Sequence, residues 1–378
     1  MAGLPEPNGY ARRVVIDAAG RLGADANAAG EQTGYVWDPA ERLVKATDPA
    51  GRVSTTVYDH AGRPTDTFGP GAAGEFGADN RSASAPHAST AYDEGIAGLA
   101  ATYWPNISLS GPPIGVGTGV GNPSGSLDHD WGNGAPASIP PANAGDNFSA
   151  RFSGEIALAE VGTYSFRAPG DDGVRVFIDD TRVVDAWYDH DGPGPTGSFA
   201  NAAAGSRHRI VVEYYDRSGP ASVSLQWATP AGPAGFSVVP GASLSPRYGL
   251  VTSTTDADGR RSAVTYAEAA LGLATATVLD PGGLGLRSTT TYEAAPGGYF
   301  RRTARTLPKG AATASAYAYF GDTETADDPC TPGTEATNQA GALRSSAAAD
   351  PDGAGALGPI VRQYRYDGAG RTVASRAG

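Results

Sequence analysis

Two adjacent aspartates, Asp171 and Asp172, lie in a turn that offers two carboxylates to one ligand. Tyr164 and Phe166 alternate with polar residues ahead of the turn, and the alternation resumes at Val174, which predicts a half-buried strand on each side. Hard cations such as Ca²⁺ take oxygen ligands, and a cation relieves the repulsion between neighbouring anions. The sequence therefore predicts a calcium site here. The alternative is a turn without an ion, because Asp-Asp-Gly is good turn chemistry by itself.

The segments on either side of this turn form a longer series of predicted strands. Asp179 and Asp180 predict a hairpin turn, with Val183–Trp187 as the return strand. The order and spacing of the whole series, over residues 92–240, resemble a PA14 domain, which is a β-sandwich. The segments that carry the resemblance are Ala97–Trp104, Asp146–Leu158, Gly162–Trp187, His208–Tyr215 and Ala221–Trp227.

The PA14 resemblance implies a ligand for the acidic turn. Many PA14 domains are carbohydrate-binding modules of secreted enzymes and adhesins. In the lectin-like members a pair of aspartates, joined by a cis peptide bond, holds a Ca²⁺ ion that also binds sugar hydroxyls. Asp171 and Asp172 match that pair. The resemblance therefore implies that both residues bind calcium and carbohydrate.

A second loop, Asp216–Pro220, follows the predicted strand that ends in two tyrosines. In lectin-like PA14 domains this loop supplies a side-chain oxygen and backbone carbonyls to the ion, so Asp216 and Ser218 are candidate metal ligands by resemblance. Arg217 departs from that pattern by adding a positive charge, and it is a candidate sugar contact. The loop is also shorter than the specificity loop of the adhesins, so the resemblance implies no particular sugar.

Two further groups of polar and aromatic residues invite a functional interpretation. In Trp187–Gly192 the resemblance favours a tryptophan in the core and a loop at the rim, without catalysis. Trp187 or Tyr188 could instead stack on a sugar face. Asp128–Trp131 fits a metal or sugar contact, and a polar loop ahead of a strand explains it equally well.

A short repeat surrounds the PA14-like region. Its fullest copy, Tyr58–Arg63, has an aromatic residue, Asp, two further residues and then Gly-Arg. The Asp caps a turn and the Gly takes the left-handed position between paired strands. These units resemble the RHS or YD repeats of large bacterial surface and toxin proteins, in which β-ribbons form a shell around an effector. Other copies begin at Asp17, Asp38, Asp48, Asp256 and Tyr366, and a decayed one begins at Asp280.

Composition and these motifs together predict the domain organisation. The 378 residues include 53 Gly and 29 Pro, without long apolar helical stripes, which is typical of an all-β chain with many turns. We expect a PA14-like β-sandwich inserted in a β-hairpin ribbon of RHS/YD repeats. The predicted parts are repeats at 1–70, a linker at 71–91, the sandwich at 92–240, and a ribbon with irregular loops at 241–378.

Charge and missing motifs exclude several classes of function. The net charge is −12, and residues 92–230 hold 16 acidic residues against 7 arginines, which argues against binding of nucleic acid. No run of about 18 apolar residues could span a membrane, and the first residues lack the apolar segment of a signal peptide. Cys330 has no intrachain partner and is predicted to be a free thiol. No serine-hydrolase, zinc-protease or P-loop motif occurs, so we do not expect an enzyme.

Two functions of different kinds remain. The first is a calcium-dependent, adhesin-like module that binds a glycan or cell-surface polysaccharide, within a secreted or cell-surface RHS protein. The second is structural: the PA14-like insertion braces an RHS shell that encloses a toxin or effector, and has no ligand of its own. Both place the protein outside the cell or at its surface, with the remainder of the parent RHS shell as a partner.

Overall fold

The computed structural model describes residues 2–5, 11–137, 139, 145–293, 299–326, 336–350 and 358–377. Cys330, predicted to be a free thiol, lies outside these residues. Within them the regular structure consists of strands and short 3₁₀ turns, which confirms the predicted all-β class. The chain divides into two compact units, residues 1–261 with 268–273, and residues 262–267 with 274–378.

The first part of the first unit is an antiparallel ribbon, in which each strand pairs with the next along the chain. Its strands are β1 (Ala2–Pro5), β2 (Ala11–Ile16), β3 (Leu22–Ala26), β4 (Gln32–Trp37), β5 (Leu43–Thr47), β6 (Arg52–Tyr58), β7 (Pro64–Ala72) and β8 (His87–Tyr92). The segment 71–91, for which the sequence predicts a linker, therefore contains the end of β7, a 3₁₀ turn at Ala73–Glu75 and most of β8.

The repeat motif is a hydrogen-bonded turn at the end of each hairpin. In the Asp59 turn, the Asp59 carboxylate accepts the backbone N–H groups of Ala61 and Arg63, both at 2.9 Å, and the Arg63 Nε at 2.7 Å. Gly62 adopts a φ of 81° and donates its N–H to the Asp59 carbonyl at 2.9 Å. The Asp59 carboxylate thereby binds the backbone and the arginine of its own turn. The turns at Asp17, Asp38, Asp48 and Asp367 repeat this pattern.

The aromatic residue and the arginine of the motif connect successive repeats. The Tyr58 hydroxyl donates to the Leu43 carbonyl at 2.9 Å, and Trp37 Nε1 donates to the Leu22 carbonyl at 2.8 Å. Arg42 lies over the Tyr58 ring at 4.8 Å and donates to the Asp59 carbonyl at 3.3 Å. These cross-strand contacts stabilise the ribbon, which buries little apolar surface.

One copy of the turn has a different composition. In the turn from Asn27 to Glu31, Asn27 Oδ1 accepts the N–H of Glu31 at 3.0 Å, and Asn27 Nδ2 donates to Glu31 Oε2 at 2.7 Å. The donor and the acceptor have exchanged places relative to the Asp–Arg copies. The Asp-x-x-Gly-Arg pattern does not predict this turn, because the turn has Asn in place of Asp and Glu in place of Arg.

The PA14-like region replaces the tip of one further repeat turn. Asp93 N–H donates to the Leu250 carbonyl at 2.8 Å, and Leu250 N–H donates back to Asp93 Oδ1 at 2.9 Å. The same pair of bonds joins Asp59 to Arg63, and Arg63 itself donates to Asp93 Oδ2 at 3.0 Å. Gly249, with a φ of 77°, takes the place of the turn glycine. The insertion therefore starts and ends inside a Tyr-Asp turn, where its two ends lie close together.

Residues between those two ends form a β-sandwich, as predicted. One sheet has the order β10-β9-β12-β19-β15-β16 with β23 beside β12, and two four-stranded sheets, β18-β13-β21-β22 and β11-β20-β14-β17, face it across one apolar core. The strands are β9 (Ala100–Trp104), β10 (Gly115–Thr118), β11 (Asp128–Gly132), β12 (Phe148–Leu158), β13 (Gly162–Arg167), β14 (Gly170–Asp171), β15 (Gly173–Ile178), β16 (Thr181–Ala186), β17 (Asp191–Gly192), β18 (Thr196–Asn201), β19 (Ser206–Asp216), β20 (Ala221–Ser224), β21 (Gln226–Ala228), β22 (Ser237–Val238) and β23 (Leu244–Ser245).

Alternation along these strands explains the sandwich core. In β13, Tyr164 and Phe166 are buried while their neighbours are partly exposed, as the alternation predicts. The predicted hairpin turn is also present, because Asp179 and Asp180 have φ values of 47° and 65°. The return strand begins at Thr181, earlier than predicted.

The chain returns to the ribbon in β24 (Val251–Thr255), which pairs with β8. The second unit contains most of β25 (Arg261–Glu268) and of β26 (Leu273–Leu279). It continues with β27 (Leu286–Tyr292), β28 (Arg302–Thr306), β29 (Ser315–Tyr319), β30 (Thr325–Ala326), β31 (Thr337–Asn338), β32 (Leu343–Ala347), β33 (Val361–Tyr366) and β34 (Thr372–Ala377). This unit repeats the ribbon contacts: the Tyr366 hydroxyl donates to the Leu343 carbonyl at 3.0 Å.

Candidate calcium and carbohydrate site

The acidic turn lies between β14 and β15, and the peptide bond between Asp171 and Asp172 is cis, as the resemblance implies. The Tyr214 hydroxyl donates to the Asp171 carbonyl at 2.5 Å, which fixes the turn to the neighbouring strand β19. Gly173 follows because a Cβ there would lie 2.1 Å from the Tyr215 ring. The turn is thus packed tightly between two tyrosines.

Asp216, the last residue of β19, is the most unusual group at this site. Its side chain is completely buried, and neither carboxylate oxygen has a hydrogen-bond partner. Burial and then the charges of Asp172, Asp146 and Asp171 raise the pKa of Asp216 to about 7, against a smaller opposing effect of the Asn147 backbone N–H. A buried carboxylate without a donor is costly, and a bound cation removes that cost. The sequence predicted Asp216 as a ligand, and the fold brings it to the acidic pair.

Asp172 and Asp146 complete the acidic group from two other segments. Asp172 is 8% exposed and accepts the Arg217 backbone N–H at 2.7 Å. Asp146 accepts the Gly219 N–H at 3.0 Å. The sequence did not single out Asp146. Phe148 pairs with Asp216, which puts the residues before β12 beside the loop after β19. A correct prediction of that strand pairing would have identified Asp146 as a neighbour of the acidic pair.

The side chains at this site provide too few ligands to hold Ca²⁺ by themselves. Within the described ranges, no three carboxylate, imidazole or thiol groups stand close enough together to hold a metal ion by themselves. Ca²⁺ takes six to eight oxygens and commonly mixes carboxylates with carbonyls and water. The buried carboxylate oxygens of Asp216 have the chemistry that such an ion requires. Ser218, the other predicted ligand, lies exposed in the loop after β19.

The Arg217 side chain pairs with Asp189. Its Nε lies 2.8 Å from Asp189 Oδ2, and the Tyr215 hydroxyl donates to Asp189 Oδ1 at 2.6 Å. These two hydrogen bonds, first from Tyr215 and then from Arg217, lower the pKa of Asp189. The sequence did not predict this pair, because Asp189 and Arg217 belong to different loops.

The two aromatic candidates differ in exposure. Trp187 is half-buried outside the apolar core, with Arg175 4.2 Å above its face and the Tyr215 ring against it at 4.8 Å. The interpretation of Trp187 as a core residue is therefore wrong, because an arginine covers it rather than apolar side chains. Tyr188 is 56% exposed, so its ring is open to a ligand.

The Asp128–Trp131 group is not a loop, as one interpretation of the sequence had it. It lies in β11 and pairs with β20, where Asp130 is opposite Ser222. Trp131 stacks on Tyr214 at 5.9 Å at the edge of the core. Asp130 stands in the same cross-strand row as Asp171, because Ser222 pairs with both.

Comparisons with known proteins identify the two kinds of module. The PA14 domain family matches residues 96–235, and the RHS repeat family matches residues 17–53. The chain thus contains a PA14 domain and an RHS repeat, which confirms both resemblances. In the described residues no helix is both long and apolar enough to cross a membrane.

Individual proteins resemble part of this chain. The anti-sigma-I factor RsgI3 of Acetivibrio thermocellus is 29% identical over 123 residues, which are 32% of this chain and 18% of that protein. An anti-sigma factor domain-containing protein from Clostridium clariflavum is 28% identical, with 40% of this chain and 47% of that chain covered and a TM-score of 0.35. The PA14 sugar-binding domain of an RTX adhesin is 18% identical, with 40% and 99% covered and a TM-score of 0.32. The chain therefore spans less than half of the first two proteins.

Proposed function

We propose that the PA14 domain of this protein binds carbohydrate through a calcium ion held by Asp171, Asp172 and Asp216. The observation that carries the proposal is the Asp216 carboxylate, which is completely buried without a hydrogen-bond donor. Burial of the ionised carboxylate costs free energy, and either a proton or a bound cation removes that cost. The PA14 match over residues 96–235 includes this turn, and by the resemblance described above Asp171 and Asp172 correspond to the calcium-binding pair of the lectin-like members.

The remaining ligands come from the backbone and from Asp146. Two loops converge on the acidic pair, joined by the bonds from Arg217 N–H to Asp172 and from Gly219 N–H to Asp146. Carbonyls and waters at these loops bring the coordination to the six or more oxygens that Ca²⁺ requires. Ser218 contributes a hydroxyl or its carbonyl. Calcium sites of extracellular modules are often weak, which suits a protein outside the cell or at its surface.

A sugar would bind on the outer side of the ion. Two of its hydroxyls complete the coordination shell, while Tyr188 and Arg217 contact the ring from the side. The exposed Tyr188 ring offers an apolar face for stacking. Trp187 contributes less, because Arg175 covers its face. The protein's role is then binding rather than catalysis, with a glycan or cell-surface polysaccharide as partner.

Unfolding of the full chain in EDTA and in Ca²⁺ tests the ion site. Binding to the folded state alone raises the free energy of unfolding by about 2.7 kcal/mol at a hundredfold excess over Kd. We expect this gain in the wild type and its loss in Asp216→Asn. Asp185→Asn is the matched control, because Asp185 is an exposed strand residue paired with Arg182. An equal gain in both variants, or none in the wild type, would refute the calcium site.

Glycan binding is the second half of the test. Calcium-dependent retention on immobilised polysaccharide, abolished in Asp216→Asn and kept in Asp185→Asn, is the expected result. Calcium binding without retention on any glycan would refute carbohydrate as the ligand and leave an ion site of structural purpose.

The structural alternative also has an observation in its favour. Glu155, 3% exposed in β12, contacts His60 of the ribbon at 2.5 Å and Arg247 at 3.2 Å. Together with the Asp93 turn these contacts attach the PA14 domain firmly to the repeats, as a brace within a larger RHS shell requires. The two functions are compatible, since a firmly mounted domain can still expose a sugar site.

A further inference from the structure

The large sheet of the PA14 domain has an outer side that is rich in arginine. Side chains along β12, β15 and β19 alternate between the apolar core and the outside. Arg151, Glu213 and Arg175 pair across these three strands on the outer side. Arg182 of β16 lies opposite Phe177 on the same side. The outer side of β12, β19, β15 and β16 is called the arginine face below.

Arg207 and Arg209 extend the arginine face toward the start of β19. They lie on the outer side because Ile210, on the opposite side of the strand, is completely buried. Arg209 is opposite Glu155 in β12, and Arg207 is opposite Ala157. The Arg207 side chain is exposed, and in the part of the chain that the structure describes no carboxylate or other acceptor binds it.

Charge is distributed unevenly over this domain. Residues 92–230 contain 16 acidic residues and 7 arginines. Five of the arginines lie on the arginine face, together with three of the acidic residues, Glu155, Asp185 and Glu213. The face therefore has an excess of two positive charges, which Asp180 in the adjoining hairpin turn reduces to one by pairing with Arg209. An anion that approaches this acidic domain is attracted here and repelled elsewhere.

Two arginines share one carboxylate at the centre of the arginine face. Arg151 donates from Nε and Nη2 to Glu213 Oε1 at 2.9 and 2.6 Å, and Arg175 donates from Nε to Oε2 at 2.5 Å. A guanidinium has five N–H donors, and within the described residues no acceptor binds Nη1 or Nη2 of Arg175. Glu213 thus fixes two guanidiniums and cancels only one of their charges.

Arginines also cover the large aromatic residues of this surface. Arg151 lies over the Trp104 ring at 5.6 Å, and Arg175 lies over the Trp187 ring at 4.2 Å. Protein interfaces centre on exposed aromatic or apolar anchors, and single-stranded nucleic acids stack on exposed aromatic rings. A hydrated polyanion needs neither, because a row of guanidiniums binds its charged groups. The arginine face therefore fits an acidic polysaccharide better than a protein or a nucleic acid.

We propose that the arginine face binds a polysaccharide that carries carboxylate or sulfate groups, independently of calcium. Arg175, Arg182 and Arg207 contact the anionic groups through their guanidiniums. Glu213 is a positioning residue, because it acts through the two arginines that it holds. The face includes none of the proposed calcium ligands, so this binding is separate from the function proposed above.

Retention of the full chain on immobilised polygalacturonate in EDTA tests the proposal, with neutral dextran as the reference matrix. We expect retention at low ionic strength that falls as salt is added, because surface ion pairs are screened. Arg182→Gln and Arg207→Gln should each weaken binding by about twofold to fivefold, the range for an exposed charge pair. The matched control is Arg167→Gln, which removes the same charge from β13 in the opposite sheet.

Asp185→Asn should have the opposite effect on binding. Asp185 is exposed and lies 3.1 Å from Arg182, so its neutralisation releases that arginine. Affinity for polygalacturonate should rise by about twofold to fivefold. A structural role of these charges predicts instead that neither Arg207→Gln nor Asp185→Asn changes retention. Urea unfolding of each variant checks that stability is retained.

Three results would overturn the proposal. The first is no retention of the wild type on polygalacturonate in EDTA. The second is an equal loss in Arg167→Gln and Arg207→Gln, which would mean attraction by net charge alone. The third is tighter binding to polyglutamate of matched charge density, which would assign the face to acidic proteins. None of these results bears on the calcium site, which is tested by the response of Asp216→Asn to Ca²⁺.

Discussion

Asp59 in the ribbon and Asp216 in the PA14 domain stand in the same local sequence, Tyr-Asp-x-x-Gly, and in opposite surroundings. In the ribbon the residue after this motif is Arg63, whose N–H and Nε both bind the Asp59 carboxylate. In the PA14 domain it is Pro220, which has neither an N–H nor a charged side chain. One carboxylate is therefore saturated by its own turn, while the other is buried without a partner.

The two pKa shifts express this difference. Burial acts to raise the pKa of Asp59, but the hydrogen bonds from Arg63 outweigh it and hold that pKa below its usual range. Burial and three neighbouring aspartates raise the pKa of Asp216 to about 7. The comparison teaches that a Tyr-Asp turn is structural when the chain supplies its own cation. At Asp216 no such side chain binds the carboxylate, and there we propose that a cation from solution takes its place.

The largest expected effect concerns the turn in which both regions meet. Asp93 is 5% exposed and accepts Gly249 N–H, Leu250 N–H and the Arg63 side chain. We predict that Asp93→Ala lowers the free energy of unfolding by about 2–4 kcal/mol, because it leaves two N–H groups without their acceptor and removes one of the two carboxylates that bind Arg63. Urea unfolding measures the change.

The control for that prediction is Asp48→Ala, in an exposed copy of the turn. The Asp48–Arg52 pair is largely open to solvent, so its loss should cost much less free energy than the loss of Asp93. An equal loss in the free energy of unfolding for both variants would mean that the turn at the insertion point contributes no more stability than an exposed repeat turn.

An intermediate effect should have opposite signs in the two regions. Asp59→Asn removes the acceptor for Arg63 Nε and should destabilise the protein by about 1.5–3 kcal/mol. Asp216→Asn removes a buried unpaired charge and should stabilise the calcium-free protein at pH 8. Urea unfolding in EDTA measures both. If Asp216→Asn also destabilises the protein, the carboxylate has a partner that its surroundings do not reveal.

The pH dependence of these two effects follows from the signs of the shifts. The folded pKa of Asp216 is raised, so its penalty develops as pH rises from about 4, where the unfolded carboxyl ionises, to about 7, and is constant above. The gain from Asp216→Asn should therefore vanish near pH 4. The folded pKa of Asp59 is lowered, so its contribution is complete above about 4 and is lost as pH falls through the folded pKa.

The smallest effect tests whether a repeat turn needs only complementary partners. Asn27→Asp alone puts a carboxylate beside Glu31 and should destabilise the ribbon by about 0.2–1 kcal/mol, the range for exposed charge pairs. Asn27→Asp/Glu31→Arg rebuilds the common form of the turn and should recover that loss. A double-mutant cycle measures the coupling, and no coupling would mean that the turn tolerates any polar pair.

Much of the fold was predictable because its signals are local. The repeat turns, the alternation in β13 and the left-handed Asp179–Asp180 turn each depend on residues close together in sequence. The acidic pair and the loop at Asp216 were found by resemblance, and their role as calcium ligands stays a prediction. The missed features depend on contacts between distant segments: Asp146 meets Gly219, and Asp189 meets Arg217.

The sequence by itself determined the units of this protein, which are Tyr-Asp turns, alternating strands and an acidic pair, because each is specified by hydrogen bonds or burial within a few residues. The tertiary structure decided what each unit does. The same Tyr-Asp turn closes a hairpin at Asp59 and joins the two ends of the inserted PA14 domain at Asp93. At Asp216 it leaves a buried carboxylate without a hydrogen-bond partner. The physical reason is that the role of an aspartate depends on which donors reach it, and those donors come from distant parts of the chain.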